Sequence, residues 1–183
     1  MKKLCWKALG IAVMVSLAGG MSYAASSANV TVKFTVTNLS ISVNPSQLTV
    51  GVISAGQSSI ASSSITVIND GNTNETFQLS CTTFTTPSNF QLVSAAPASA
   101  TQFRVLGIFN SATQPVLGNY DTTDDVLTGT PVSASATKFS GSEQGDNVAV
   151  GQSRGLWLRI DAPTGNPASA EQTFTVTINA VAP

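Results

Sequence analysis

Residues 28–43 contain two runs of alternating apolar and polar side chains that are out of phase with each other. In the first run the apolar residues occupy even positions: Ala28, Val30, Val32, Phe34 and Val36. In the second run they occupy odd positions: Leu39, Ile41 and Val43. Because successive side chains of a strand point to opposite faces, each run predicts a β-strand. The chain is therefore expected to bulge, bend or change sheets near Asn38.

The same period of two recurs downstream and predicts an all-β fold. A strand around Leu48 and Val50 leads into a turn, and residues 60–68 and 75–81 are two strands separated by a turn signal at residues 69–72. Further strands are predicted over residues 90–94, 101–110, 154–161 and 172–181. Gly107 lies where the phase of one of these strands shifts, and a bulge is expected there.

About eight such strands, with turn signals between them, indicate an immunoglobulin-like antiparallel β-sandwich. A jelly roll or a barrel is also compatible with the number of strands. Residues 111–148 are weakly patterned and rich in glycine and proline turns, which indicates a loop-rich insertion. The predicted organisation is a signal peptide at residues 1–24 and a single sandwich domain at residues 25–183 that contains this insertion.

A set of positions within residues 41–81 shows a resemblance to a known family. It comprises an apolar stretch with two glycines, a serine-rich spacer, a strand that ends in Asn-x-Gly, and a further strand: Leu48, Val50, Gly51, Gly56, Ile65, Asn69, Gly71, Phe77 and Leu79. This arrangement resembles the first half of immunoglobulin-like domains of the ASH, MSP and choice-of-anchor kind, although Val50 stands where that family often has Phe. The resemblance implies the sandwich fold and little about activity, because such folds host many functions.

The first 24 residues have the features of a secretory signal. Lys2, Lys3 and Lys7 precede a short apolar run at residues 9–17, and Ser22 and Ala24 are small residues at the positions that a signal peptidase reads. The apolar run is too short to span a membrane. We therefore expect export with cleavage near Ala24, to the outside of the cell, the cell surface or the periplasm.

The proportion of charged residues and the net charge restrict which classes of molecule could be partners of this chain. Charged residues make up 9% of the sequence, against about 25% in ordinary soluble domains. Cleavage would remove three of the eight basic residues and none of the nine acidic ones, which leaves a net charge of −4. This argues against nucleic acid or an anionic membrane as a partner. A surface of hydroxyls with weak self-repulsion suits a protein that packs against copies of itself, and also a plain secreted sandwich.

The residue inventory offers little catalytic chemistry. The chain has no histidine, which removes the usual general base and most zinc sites. Cys81 follows Phe77 and Leu79 at alternate positions, so it is predicted to be a core residue. A pair of carboxylates from the insertion could flank a glycosidic bond, but the spacing of the acidic residues does not favour it. We predict no enzymatic activity.

Asp121, Asp124 and Asp125 are the candidate ligands for a calcium ion, because carboxylate oxygens close together on a loop suit a hard cation. Solvated loop acids are the alternative interpretation, and it is the one we favour. Asp70 and Asn72 also resemble part of a calcium loop, but Glu75 stands where that motif requires glycine. The expectation is no cofactor, with Ca²⁺ as the weaker alternative.

The first functional hypothesis is a secreted, non-catalytic structural protein of the bacterial cell surface, such as a filament or surface-layer subunit. In this hypothesis the strand that carries Val30, Val32, Phe34 and Val36 pairs with a neighbouring copy of the protein. The same strand could instead pair within its own chain against the C-terminal strand, and from the sequence alone we favour this second arrangement.

The second hypothesis is an extracellular binding module that recognises a glycan or a surface protein in adhesion. Trp157 and Arg159 point away from the face that Leu156 defines, and an exposed tryptophan can stack on a sugar ring. The alternative interpretation, which we favour, is that the insertion covers Trp157 or that Arg159 stacks on it.

Overall fold

The computed structural model describes residues 29–111, 113–165 and 170–183, so the predicted signal peptide lies outside the described residues. The chain divides into two units, Met1–Thr35 and Val36–Pro183. In the first unit, residues 29–35 are described, and they form no strand. Among the described residues there is no helix with the length and apolar character needed to cross a membrane.

The second unit is built from strands, which confirms the predicted all-β, sandwich-like class. In order they are β1 (Ile41–Asn44), β2 (Ser58–Ile60), β3 (Ile65–Asn69), β4 (Thr76–Cys81), β5 (Gln91–Leu92), β6 (Gln102–Phe109), β7 (Val132–Ser133), β8 (Ser153–Asp161) and β9 (Val176–Val181). A short 3₁₀ turn, Leu117–Asn119, precedes β7. The larger sheet has the order β1-β3-β8-β6-β5, with β2 also paired to β8, and the smaller sheet has the order β7-β4-β9. All pairs are antiparallel except β5 with β6.

The main core brings apolar residues of both sheets together. Its buried members include Val67, Phe77, Leu79, Cys81, Phe103, Val105, Phe109, Leu156 and Leu158. The inward positions predicted for β4 are confirmed. Thr76 and Ser80, which alternate with these inward positions, are also buried. Thr76 is covered because its hydroxyl accepts a hydrogen bond from the backbone N–H of Asn147, at 3.2 Å.

Strand β6 is buried on both faces, which explains its shift of phase. Leu106 and Ile108 belong to a second apolar cluster, on the face opposite the main core. The pairing of Arg104–Phe109 with β8 is continuous, so the bulge predicted at Gly107 is wrong. Gly107 instead permits close packing, since a Cβ there would lie 3.0 Å from Leu127 Cδ1.

The insertion, described at residues 111 and 113–148, closes one side of the sandwich. It bonds to the edge of β6, where Gly107 N–H donates to Asp125 O at 2.9 Å and Leu127 N–H donates to Val105 O at 2.9 Å. It also bonds to the edge of β4, where Ala134 N–H donates to Phe77 O at 2.8 Å. Tyr120 and Val126 of the insertion complete the second apolar cluster.

Some predicted strands are absent or shorter, mainly near the ends of the domain. No strand forms over described residues 29–37 or around Leu48, residues 60–68 divide between β2 and β3, and the last strand begins at Val176. A strand requires a partner for its backbone groups. Within the described chain, residues 29–35 and 46–53 have no backbone partner, whereas Thr173 bonds to Thr86 only as an isolated bridge ahead of β9.

A buried charge network lies beside the second cluster. Arg104 Nε donates to Asp161 Oδ2 at 2.8 Å, and Arg159 Nε and Ser58 Oγ donate to Asp161 Oδ1 at 2.8 and 2.6 Å. Burial alone would raise the pKa of Asp161, but these hydrogen bonds and the charge of Arg159 outweigh it and hold the pKa below 3.8. The network joins β2, β6 and β8 at one end of the larger sheet.

Asp161→Asn is expected to lower the free energy of unfolding at pH 7 by about 3 kcal/mol, because it leaves the buried guanidinium of Arg104 and the partly buried guanidinium of Arg159 without their anion. Denaturant unfolding measures this change. Since the folded-state pKa is depressed, the stabilisation exists at neutral pH and is lost as the pH falls through that pKa, so the deficit should shrink below about pH 3.8. The matched control is Asp124→Asn, which breaks the exposed pair with Lys138 and should cost less than about 1 kcal/mol. Equal losses in both variants would contradict the structural role of the network.

Candidate functional site

The apolar face of β9 is only partly covered. Phe174, Val176, Ile178 and Ala180 alternate with Thr175 and Thr177 as the sequence predicts, but all four remain partly exposed. The facing positions on β4, Phe77 and Leu79, are fully buried. Among the described residues β9 pairs only with β4. Within the described residues no strand pairs with its second edge, which lies beside an incompletely covered apolar face.

The chain around β1 forms the facing edge of the larger sheet. Ile41 and Leu48 pack against the same main core as β9 and are also partly exposed. Within the described residues, 46–53 form no strand and make no backbone hydrogen bond. Val52 in this stretch is fully exposed. This edge, like that of β9, is available for further pairing.

Because the insertion seals the side of the sandwich bordered by β6 and β4, the edges formed by β1 and β9 lie on the opposite side. We call the space between them the open groove, defined by Ile41, Leu48, Val176 and Ile178. Phe174, just before β9, instead packs on Phe103 of β6, with 5.5 Å between the ring centroids. The walls of the groove are apolar, and its two rims carry backbone groups that are unpaired within the described residues. Such a groove can accept an extended segment that places apolar side chains at every second position and bonds to the rims through its backbone.

The segment that the sequence singled out for assembly has this character. Val30, Val32, Phe34 and Val36 are 84%, 78%, 84% and 66% exposed. Large apolar side chains this exposed, in a row at alternate positions, are unusual on a soluble protein. The sequence identified this segment but not the groove, because alternation along the predicted strand 172–181 does not show whether its apolar face is covered.

The proposed ligand contacts of the second hypothesis are not on the surface. Trp157 is 3% exposed, covered by Tyr120 and Val126, and its indole N–H donates to the backbone O of Ser111 at 3.0 Å. Arg159 is bonded to Asp161 and to Leu117 O. The insertion that was considered a cover for the tryptophan does cover it, so its ring offers no stacking platform.

The three candidate calcium ligands do not converge. Asp121 Oδ1 accepts the backbone N–H groups of Thr123 and Asp124 at 2.7 and 3.0 Å, and Asp124 pairs with Lys138 at 3.0 Å. Asp125 Oδ2 accepts the N–H of Asp121 at 2.7 Å. In the described part of the chain no three acidic, cysteine or histidine side chains are grouped to hold a metal. The acids instead shape the turn that leads the insertion back to β6.

Asp125 is a buried carboxyl with an incomplete set of partners. It is 1% exposed, and its Oδ1 has no hydrogen bond within the described chain. Burial raises its pKa to about 6, and the charges of Asp121 and Asp124 add to this effect against the backbone hydrogen bonds from Asp121 and Phe139. Asp125 lies in the insertion, so its ionisation affects the stability of the insertion and does not involve the open groove.

Comparisons with protein-family models, with curated proteins and with solved structures give no match to this chain. The resemblance noted in residues 41–81 is thus supported only as far as a mostly β chain with two sheets.

Asp125→Asn is expected to change how stability depends on pH. In the wild type the folded state binds a proton at Asp125 more tightly than the unfolded state does, so this group's contribution is most favourable below about pH 4 and declines as the pH rises to about 6. The side chain of the variant cannot ionise, so its free energy of unfolding should depend less on pH. Between pH 4.5 and 7.5 the free energies of unfolding of the two proteins should diverge by about 1–3 kcal/mol. Thermal unfolding across this range measures it. Parallel profiles for both proteins would contradict the assignment.

Proposed function

We propose that this protein is a non-catalytic structural subunit of a bacterial cell surface, which assembles into a filament or layer when the segment 30–36 of one copy enters the open groove of another. The observation that carries the proposal is the half-covered apolar face of β9, together with the exposed apolar row at residues 30–36. Part of the apolar core beside β9 is uncovered, and the chain carries a segment of the type that would cover it.

The chemistry of the two surfaces is complementary. The segment offers four apolar side chains on one face and Thr31, Lys33 and Thr35 on the other, as an added strand with one face toward a core requires. Fully burying a valine or phenylalanine stabilises by about 1.5–3 kcal/mol relative to exposure. Backbone hydrogen bonds along the rims would fix the register of the segment. They do not depend on side-chain charge, so they suit a chain with few charged residues.

Export and the absence of catalytic groups belong to the same proposal. The basic and apolar pattern of residues 1–24 supports export, and the sequence has no histidine. Burial raises the pKa of the Cys81 thiol to about 12, so this side chain is a poor nucleophile. The sandwich is proposed to be immunoglobulin-like, as the resemblance of residues 41–81 implies, and to need no cofactor. The burial of Trp157 leaves the glycan-binding alternative without a supporting observation.

Phe34→Asp should abolish assembly of the purified mature protein, because it places a charge on the apolar face of the segment. Thr35→Asp is the matched control: it introduces the same charge one residue away, on the opposite face of an extended strand, and should assemble like the wild type. Electron microscopy and light scattering over a concentration series measure this, and Phe34→Asp should form no assemblies at up to about tenfold the concentration at which the wild type assembles. Equal behaviour of the two variants, or a wild type that never assembles, would overturn the proposal.

Deleting residues 25–37 should likewise abolish assembly and leave a folded monomer. A deletion that unfolds the protein would show instead that these residues complete their own domain. Circular dichroism distinguishes the two results.

A second copy of residues 29–37, appended after Pro183 through a short flexible linker, should occupy the groove of its own domain by forming a hairpin with β9. This chain is expected to stay monomeric and to be more stable than the wild type by about 3–6 kcal/mol. The control carries aspartate in place of the appended copies of Val32 and Phe34 and should gain no stability. A gain in both chains, or in neither, would show that the groove does not bind the segment.

A further inference from the structure

Residues 36–44 run along the domain as one continuous extended edge, longer than β1 itself. Ile41 pairs with Asn69 in the ladder of β1 and β3. The same register continues beyond the strand, where Asp70 N–H donates to Ser40 O at 2.8 Å and Asn72 N–H donates to Asn38 O at 3.1 Å. The turn between β3 and β4 therefore acts as the pairing partner of the chain that precedes β1.

Side chains of this turn add further hydrogen bonds to the chain that precedes β1. The amide of Asn72 binds twice, because Asn38 N–H donates to its Oδ1 and its Nδ2 donates to Val36 O, both at 2.8 Å. Glu75 is fully buried, and its Oε1 accepts the N–H of Ser40 at 2.6 Å. We call Asn72 and Glu75, with the backbone of residues 70–72, the turn clamp.

The close approach of the two chains depends on a glycine. A Cβ at Gly71 would lie 2.5 Å from the backbone O of Asn38 and would also overlap the carboxylate of Glu75. Any larger residue here would push the chain away from the turn. The turn at Asn69-Asp70-Gly71-Asn72 thus has two roles: it reverses the chain, and it binds the residues that precede β1.

An extended edge through residues 36–44 determines which way the apolar positions point. Ile41 packs against the main core, so in an extended chain the even-numbered residues point to the other face. Val36 is accordingly 66% exposed. For residues 30–36 to cover their own core, the chain would have to fold back along the free edge of β1, and this needs a turn of at least two residues within 36–40.

We propose that the turn clamp prevents this reversal and so reserves the segment 30–36 for a second copy of the chain. This inference rests on the proposed function and deepens it, since it names the device that selects pairing between copies over pairing within one. The clamp holds residues 36, 38 and 40 in the ladder, so no stretch between the segment and β1 is free to form a turn. The pairing is unbroken from Asn38 to Asn44, so the bulge, bend or change of sheet predicted near Asn38 is wrong, and the change of phase instead places Val36 on the face opposite Ile41.

The test compares Asn72→Ala with the wild type and with Asn74→Ala. Asn74 lies in the same turn and bonds through its side chain to Asn147 at 3.0 Å, not to residues 36–40. Each mature protein is refolded by dilution, and size-exclusion chromatography with light scattering measures the ratio of closed monomers to assemblies. Limited proteolysis of residues 29–36 identifies the closed form, in which they are protected.

Asn72→Ala should increase the ratio of closed monomers to assemblies by about fivefold or more, as the loss of two hydrogen bonds permits, while Asn74→Ala should match the wild type. If the wild type assembles and Asn72→Ala assembles equally, the clamp does not select the partner and the inference is wrong, although the proposed function stands. If the wild type is itself a closed, protected monomer, the inference is also wrong. If no protein assembles and a free peptide of residues 29–37 does not bind the wild type, the proposed function fails as well.

Discussion

An extended strand has an apolar face that must be covered and two edges whose backbone groups must be paired. The strands of this domain differ in how far these two requirements are met. In β4 both are met completely: Phe77 and Leu79 are buried, and both edges are bonded, one to β9 and one to the insertion. In β9 they are met on one edge and half of one face. The difference between these two neighbouring strands defines the open groove.

The insertion has a structural role that its irregular sequence conceals. Its backbone pairs with the outer edges of β6 and β4, and its side chains cover Trp157 and Ile108 on the outer face of the larger sheet. It gives the molecule a second apolar cluster and a closed side. With one side closed, the unpaired edges lie on the opposite side, where exposed strand edges are prone to pair with other chains.

Polar groups in this protein mainly fix the paths of chains. Asp161 holds two guanidinium groups at one end of the larger sheet, Asp121 and Asp125 shape the turn of the insertion, and Asn72 and Glu75 hold the chain before β1. Charged residues make up only 9% of the sequence. Several of them bond to backbone groups or to each other, as Asp121, Arg104 and Asp161 do.

The sequence by itself determined the all-β class and the apolar faces of β4 and β9, because alternation with a period of two marks the side of a strand that avoids water. It also identified the apolar row at residues 30–36 and the change of phase near Asn38. Only the tertiary structure decided which edges have partners: it showed that β6 is covered on both faces without a bulge at Gly107, that the insertion buries Trp157, and that the face of β9 is left half open. The reason is physical, since alternation records which side chains avoid water, whereas the partner that shields them is chosen by segments distant in the chain.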